Sequence, residues 1–126
     1  QIVKEKKVPV IAPLGLDKNN QVYNVNADTA AGAIAKELNA RRLIIMSDVE
    51  GVLDINKKLI SEINTEKVNN LINKNIISGG MIPKIRNCLD VASNGVKGVC
   101  IIDGRLNHSI LFELLTNAGS GTLIRE

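Results

Sequence analysis

The sequence predicts an α/β fold, a three-layer sandwich with a mostly parallel open sheet, and three observations carry that expectation. Residues 8–12, 43–46 and 99–102 are β-rich and apolar without alternation, as strands covered on both faces are. Helical patterns lie between these runs, and strands alternating with helices favour parallel crossover units. Each run ends in turn-forming or polar residues, Pro13-Leu14-Gly15, Ser47-Asp48 and Asp103-Gly104. In such sheets ligands bind beyond the carboxyl ends of the strands, so chemistry is sought there.

Taken in chain order, residues 8–12 give the first strand, and Asp17-Lys18-Asn19-Asn20 marks a hairpin turn after it. Asn26 is placed to cap a helix whose apolar stripe is Ala27, Ala30, Ala31, Ile34, Ala35 and Leu38. The second strand, 43–46, precedes a second hairpin expected at Asn56-Lys57-Lys58. A helix over 65–74 turns Val68, Leu71 and Ile72 inward. Another over 81–93 does so with Met81, Ile85, Cys88, Leu89 and Ala92. A fourth helix, 107–116, follows the third strand. Strand order is not readable from these patterns. With no internal repeat or linker, residues 1–126 form a single domain whose runs and stripes are expected to close on one another.

Composition removes several function classes. The chain has 126 residues, 44% hydrophobic and 23% charged, the make-up of an ordinary globular domain. Tyr23 and Phe112 are its only aromatics and its net charge of +3 is interleaved rather than clustered, so a base-stacking nucleic-acid surface is not expected. No apolar run is long enough to span a bilayer and no signal peptide is recognisable, so no membrane partner is expected. Cys88 and Cys100 sit in apolar patterns without metal-ligand or CxxC spacing. They read as buried thiols of a reducing cytoplasm, and no metal site is expected from them. The chain begins at Gln1 rather than Met, which suggests a fragment or a processed piece.

Neither a Walker A loop nor GxGxxG is present, leaving three polar clusters. In Asn24-Val25-Asn26-Ala27-Asp28, Asn26 reads as the helix cap and Asp28 lies in the first turn, where the helix dipole favours a carboxylate. Capping explains that pair as well as function does, but Asn24 lies outside the cap and has no structural task. Ser47-Asp48-Val49-Glu50-Gly51-Val52 follows the most apolar strand. Asp48 there reads either as a turn residue or as a strand-end functional carboxylate. Ser78-Gly79-Gly80-Met81-Ile82-Pro83-Lys84 leads a glycine turn into a helix. Exposed helix N–H groups after glycines form an anion site. Lys84, a cation opposing the dipole, makes sense where a phosphate sits between it and the helix end. His108 reads as a surface or capping residue.

Together these clusters resemble the amino-acid kinase family, and within it the branch that phosphorylates N-acetyl-L-glutamate. The similar stretches are Asn24-Val25-Asn26-Ala27-Asp28, Ser47-Asp48-Val49-Glu50-Gly51-Val52-Leu53, Gly79-Gly80-Met81-Ile82-Pro83-Lys84, Asp103-Gly104-Arg105 with His108, and Gly121-Thr122-Leu123-Ile124. They occur in the family's order and cover nearly the whole chain. The resemblance implies an amino-acid-kinase-like sheet and transfer of the ATP γ-phosphoryl group to the side-chain carboxylate of N-acetyl-L-glutamate in arginine biosynthesis, with Mg²⁺ bridging phosphates.

It also implies roles. Lys84 stabilises the transferring phosphoryl group, Asp28 orients catalytic lysines and Asn24 holds the acetylated substrate. Asp48, Val49, Glu50, Gly51, Val52 and Leu53, with Ile76, Ile77 and Ser78, form the nucleotide pocket. Residues 1–126 are then the C-terminal ATP-binding lobe. The family's other half carries a glycine-rich loop with a second lysine, a substrate lid and an arginine. The chain alone is therefore expected to be inactive, and a homo-oligomer is left to the full-length protein. Two alternatives stay open: a kinase for a related acid such as an aminoadipate derivative, and a non-catalytic nucleotide-binding regulatory module. Asn24 favours the acetylated acid; intact Asp28, Asp48 and Lys84 weigh against the module.

Overall fold

The computed structural model describes residues 2–126. A short 3-10 helix, Ile2–Glu5, precedes the hairpin of β1 (Leu14–Leu16) and β2 (Val22–Asn24). There follow α1 (Ala27–Glu37), β3 (Leu43–Ser47), β4 (Glu62–Ile63), α2 (Thr65–Asn73), α3 (Met81–Ser93), β5 (Val99–Asp103), α4 (Ser109–Leu115) and β6 (Gly121–Ile124). β3 to β6 form one sheet in the order β3-β5-β6-β4. The β3–β5 and β4–β6 pairs are parallel, whereas β5 and β6 are antiparallel. The sheet is therefore mostly parallel, as its continuous apolar runs predict.

β5 is buried along its whole length, because it has neighbours on both edges and helices on both faces. Val99 and Ile101 join Ile45, Ile85, Cys88, Val91 and Ile124 in the main core. Alternation along the strand turns Cys100 to the other face, where its thiol meets Glu113 of α4 at 3.0 Å. Both cysteines are free and buried. Burial, reinforced by the Asp28 carboxylate at Cys88 and by Glu113 at Cys100, pushes each thiol up to about 12.

The helices follow their apolar spacing. α2 buries Val68, and α3 buries Ile85, Cys88, Val91 and Ala92. Asn26 caps α1, its side-chain oxygen accepting from the Thr29 N–H at 3.0 Å. The first hairpin turns where expected, with Asp17 Oδ1 accepting from the N–H groups of Asn19 and Gln21. The second expected hairpin is reduced to one antiparallel bridge, Leu53 to Leu59.

Two expectations fail, for a common reason. Residues 8–12 form no strand, and Val8 and Val10 are 87% and 96% exposed. A strand exists only by pairing, and no described strand pairs with this run. Nor does the α1 stripe close. Gly32 and Ala35 are the residues of α1 that are buried, while Leu38 is 68% exposed. Ala27, Ala30, Ala31 and Ile34 line an open groove with Ile11 and Pro13. The apolar surface of residues 8–38 is larger than the described fold covers.

Helices α1 and α3 touch at Gly32, where a Cβ would lie 2.7 Å from Val91 Cγ2. Gly32→Ala should therefore destabilise the fold by about 1–3 kcal/mol through overpacking. A urea melt should show a lower midpoint with an unchanged slope; an unmoved midpoint would mean the helices separate freely.

Candidate functional site

The carboxyl ends of β3 and β5 lie side by side, since Ser47 pairs with Asp103. Short connectors, 38–42 and 94–98, join α1 to β3 and α3 to β5, and each helix packs on the strand it precedes. A helix returning over its strand in this way starts at the strand's carboxyl end. The N-termini of α1 and α3 thus converge where an α/β sheet binds its ligands.

The two termini are finished differently. α3 begins after Ser78-Gly79-Gly80, where Gly79 takes a left-handed φ of +56°. No side chain caps this helix and no acid lies in its first turn; the Met81 and Ile82 N–H groups donate back to the Ser78 and Gly79 carbonyls at 3.3 and 3.2 Å, and Pro83 has no N–H to offer. On α1, the Asn26 cap sets Asp28 in the first turn.

Lys84 reaches across from α3, placing Nζ 2.5 Å from Asp28 Oδ2. Both side chains are less than a third exposed. That carboxylate offsets the conflict between Lys84 and the dipole of its own helix. Asn87, one turn beyond Lys84, donates from Nδ2 to the Asp28 backbone carbonyl at 3.0 Å. A cleft of about 270 Å³ opens between the two helices, lined by Asn26, Asp28, Thr29, Gly80, Pro83, Lys84 and Asn87. The cleft thus holds an ammonium–carboxylate pair between the starts of two helices.

A second cluster occupies the same sheet end. Arg105 binds the buried Asp103 carboxylate through Nε at 2.9 Å and Nη2 at 2.7 Å. Those hydrogen bonds hold Asp103 down at about 2. They also raise the guanidinium above its ordinary value, with Asp48 and Glu50 adding to the effect. Asp48 is exposed just beyond β3 and accepts from Ser47 Oγ at 3.3 Å.

The expected site residues therefore divide. Asp28 and Lys84 are in contact. Asn24 ends β2, exposed and two residues before the α1 cap. Asp48, Val49, Glu50 and Gly51 form a turn after β3, and Gly51 is buried within it. Val52 and Ile77 bury their side chains in the core, so they can offer a ligand only backbone. Leu53 bridges to Leu59. Ile76 is half-buried behind α2, and Ser78 is exposed before α3. His108 is exposed at the start of α4 with a left-handed backbone and makes no side-chain cap. Asn87 and Thr29 line the cleft without having been expected there. Asn87 was detectable, because three residues after Lys84 puts it on the same helix face.

A larger cavity, about 390 Å³, is lined by Arg42, Glu113 and Gly119 among others. Glu113 is committed there, accepting from Ser120 N at 2.9 Å and facing Arg42 at 3.5 Å.

The α/β sheet therefore brings a lysine–carboxylate pair and the starts of two helices to one end. The chain belongs to the amino acid kinase family, whose pattern matches residues 1–103. It is 74% identical over its full length to the acetylglutamate kinase of Pelagibacter ubique (strain HTCC1062), covering 44% of that protein. The acetylglutamate kinase of Bradyrhizobium sp. (strain ORS 278) is 50% identical over the same residues, which make up 42% of it. The chain thus spans less than half the length of these curated relatives. Among solved structures, the N-acetylglutamate synthase from Neisseria gonorrhoeae superimposes with a TM-score of 0.90 at 22% identity. That match covers 98% of this chain and 29% of the synthase, and it shows a shared fold. Among the described residues no helix is long and apolar enough to cross a membrane.

Proposed function

We propose that the chain is the C-terminal, nucleotide-binding half of a kinase that transfers the ATP γ-phosphoryl group to the side-chain carboxylate of N-acetyl-L-glutamate. The observation that carries this reading is the Lys84–Asp28 pair between the N-termini of α1 and α3. Phosphoryl transfer asks a protein for positioning and for neutralisation of charge spread over three equatorial oxygens. Lys84, at the positive end of the α3 dipole, supplies that charge. Asp28 holds the ammonium in place, and Asn87 fixes Asp28's backbone.

Asn24, at the end of the strand that leads into α1, is the residue assigned to the acetylated acceptor. Asp48 to Leu53 and Ile76 to Ser78 flank the nucleotide. Val52 and Ile77 act through their backbone and through the core beneath it. No group of three or more His, Cys, Asp or Glu among the described residues could cage a metal. That donor set fits a Mg²⁺ held chiefly by nucleotide phosphates and water, with one carboxylate, such as Asp48, at hand. Bound there, the ion would neutralise phosphate charge. A biosynthetic kinase of this kind works in the cytoplasm on a small molecule.

Calorimetric titration with MgADP tests the nucleotide assignment. Asp48→Ala should weaken binding about tenfold or more, since a charge-assisted hydrogen bond is worth about 1.5–3 kcal/mol. Equal affinity in the two proteins would remove Asp48 from the site.

A further inference from the structure

Residues 48–52 form a strap across the carboxyl end of β5. The strap leaves β3, which lies on one side of β5, and reaches β6 on the other. It is tied at both ends. At the β3 end the Gly104 N–H donates to the Ser47 carbonyl at 2.7 Å. At the β6 end the Val52 N–H donates to Thr122 Oγ1 at 2.8 Å. The same hydroxyl donates onward to the Ile60 carbonyl at 2.7 Å. Ile60 N–H closes the loop by donating to the Val52 carbonyl at 2.8 Å. Thr122 is wholly buried, so water cannot replace its hydroxyl.

The path of the strap depends on this contact. Gly51 has a φ of +142°, a conformation that side chains rarely adopt. A Cβ there would lie 2.6 Å from Thr122 Oγ1 and 2.8 Å from Leu59 Cδ1. Backbone and hydroxyl fit against each other with no room for a methyl group. Asp48 and Glu50 ride on this strap, and their charges help raise the Arg105 guanidinium.

We infer that Thr122 is a positioning residue for nucleotide binding, its hydroxyl fixing the strap that carries Asp48 and Glu50 to the ligand. The inference rests on the reading of residues 48–53 as part of the nucleotide pocket. It reaches beyond that reading because Thr122 lies on β6, outside residues 48–53, and is wholly buried beneath the strap. Valine in its place keeps the shape but leaves the Val52 N–H and the Ile60 carbonyl buried and unpaired. Serine keeps the hydroxyl and sacrifices only a methyl group.

The test compares Thr122→Val and Thr122→Ser in the full-length polypeptide, with thermal melts alongside. The measured quantities are the MgADP dissociation constant, the KM for ATP and the KM for acetylglutamate. Thr122→Val should raise the two nucleotide constants about tenfold, as loss of a buried hydrogen-bond partner does. The acetylglutamate KM should stay within about twofold, and Thr122→Ser should restore the nucleotide constants. A Thr122→Val protein that melts lower yet binds nucleotide as tightly as the parent overturns the inference, because the hydroxyl then serves the fold alone. Both KM values rising together also overturns it. A parent protein that neither binds MgADP nor phosphorylates acetylglutamate instead sinks the proposed function.

Discussion

Replacing Lys84 by alanine in the full-length polypeptide should lower the turnover number by about 10²–10³-fold, the usual cost of removing one preorganised charge from a transition state. The substrate KM values should move far less. The ground-state phosphates keep their other contacts, and the charge of Lys84 matters most as the γ-phosphoryl group moves. The structure gives reason to expect a clean effect. Lys84 Nζ is held by Asp28 at 2.5 Å, and the backbone behind Asp28 is held by Asn87. The ammonium is therefore in place before substrate arrives. Removing it also leaves a half-buried carboxylate without its cation, so Lys84→Ala should be compared with Asp28→Asn/Lys84→Ala. If the loss is one of transition-state charge, the double variant should be no faster than the single. An unchanged turnover number in Lys84→Ala would show that the cleft between α1 and α3 is not the reacting centre.

How much of this was legible in the sequence depended on whether a residue's neighbours were local. The Asn26 cap, the first-turn Asp28, the glycine turn before α3 and the buried face of α3 are all set by residues within a turn or two. All of them appear where the spacing places them. β5 was visible because burial on both faces is written as unbroken apolarity; β3 carries the same kind of run at the sheet edge, where of its residues Ile45 is the one buried. β6 was not visible: Gly121-Thr122-Leu123-Ile124 is short, begins with glycine and becomes a strand by lying between β5 and β4. The role of Thr122 was hidden for the same reason, since Val52 is seventy residues away in sequence.

Residues 8–12 mark the opposite failure. Their composition is that of a buried strand, and the described fold offers them no partner. The α1 stripe was likewise read correctly as apolar and wrongly as covered. Local pattern reports what a segment can bury, whereas the surroundings decide whether it does so. The Lys84–Asp28 contact lies between these cases. Both residues stood out singly, one for opposing a helix dipole and the other for exceeding what a cap needs. Only the packing of α1 on α3 joined them.

That uncovered apolar surface bears on the largest expected effect. The 126 residues alone should show no appreciable phosphorylation of acetylglutamate, and linking them to the remainder of the full-length polypeptide should restore it. Transfer requires the acceptor carboxylate to be held in line with the γ-phosphate, and such positioning is worth roughly 7–11 kcal/mol of the barrier. The described cleft offers one ammonium, from Lys84, and lines the rest of its wall with Asn26, Asp28, Thr29, Gly80, Pro83 and Asn87. Asp28 is spent on Lys84, and no second cation of the described residues lines that cleft to bind an acceptor carboxylate. The groove along Ala27, Ala30, Ala31 and Ile34, together with Val8 and Val10, exposes apolar surface beside this cleft. The curated relatives are more than twice the length of this chain, which covers 44% of the Pelagibacter ubique protein. Their additional residues are where the acceptor-holding groups are expected. Radiolabel transfer from γ-labelled ATP, measured for the chain alone and for the full-length polypeptide, separates the outcomes. Nucleotide binding without transfer in the chain, and transfer in the full-length protein, is the expected pair of results. Full-rate transfer by these residues on their own would mean that Asn24, Asp28 and Lys84 suffice, and that the reading of the chain as half of an active site is wrong.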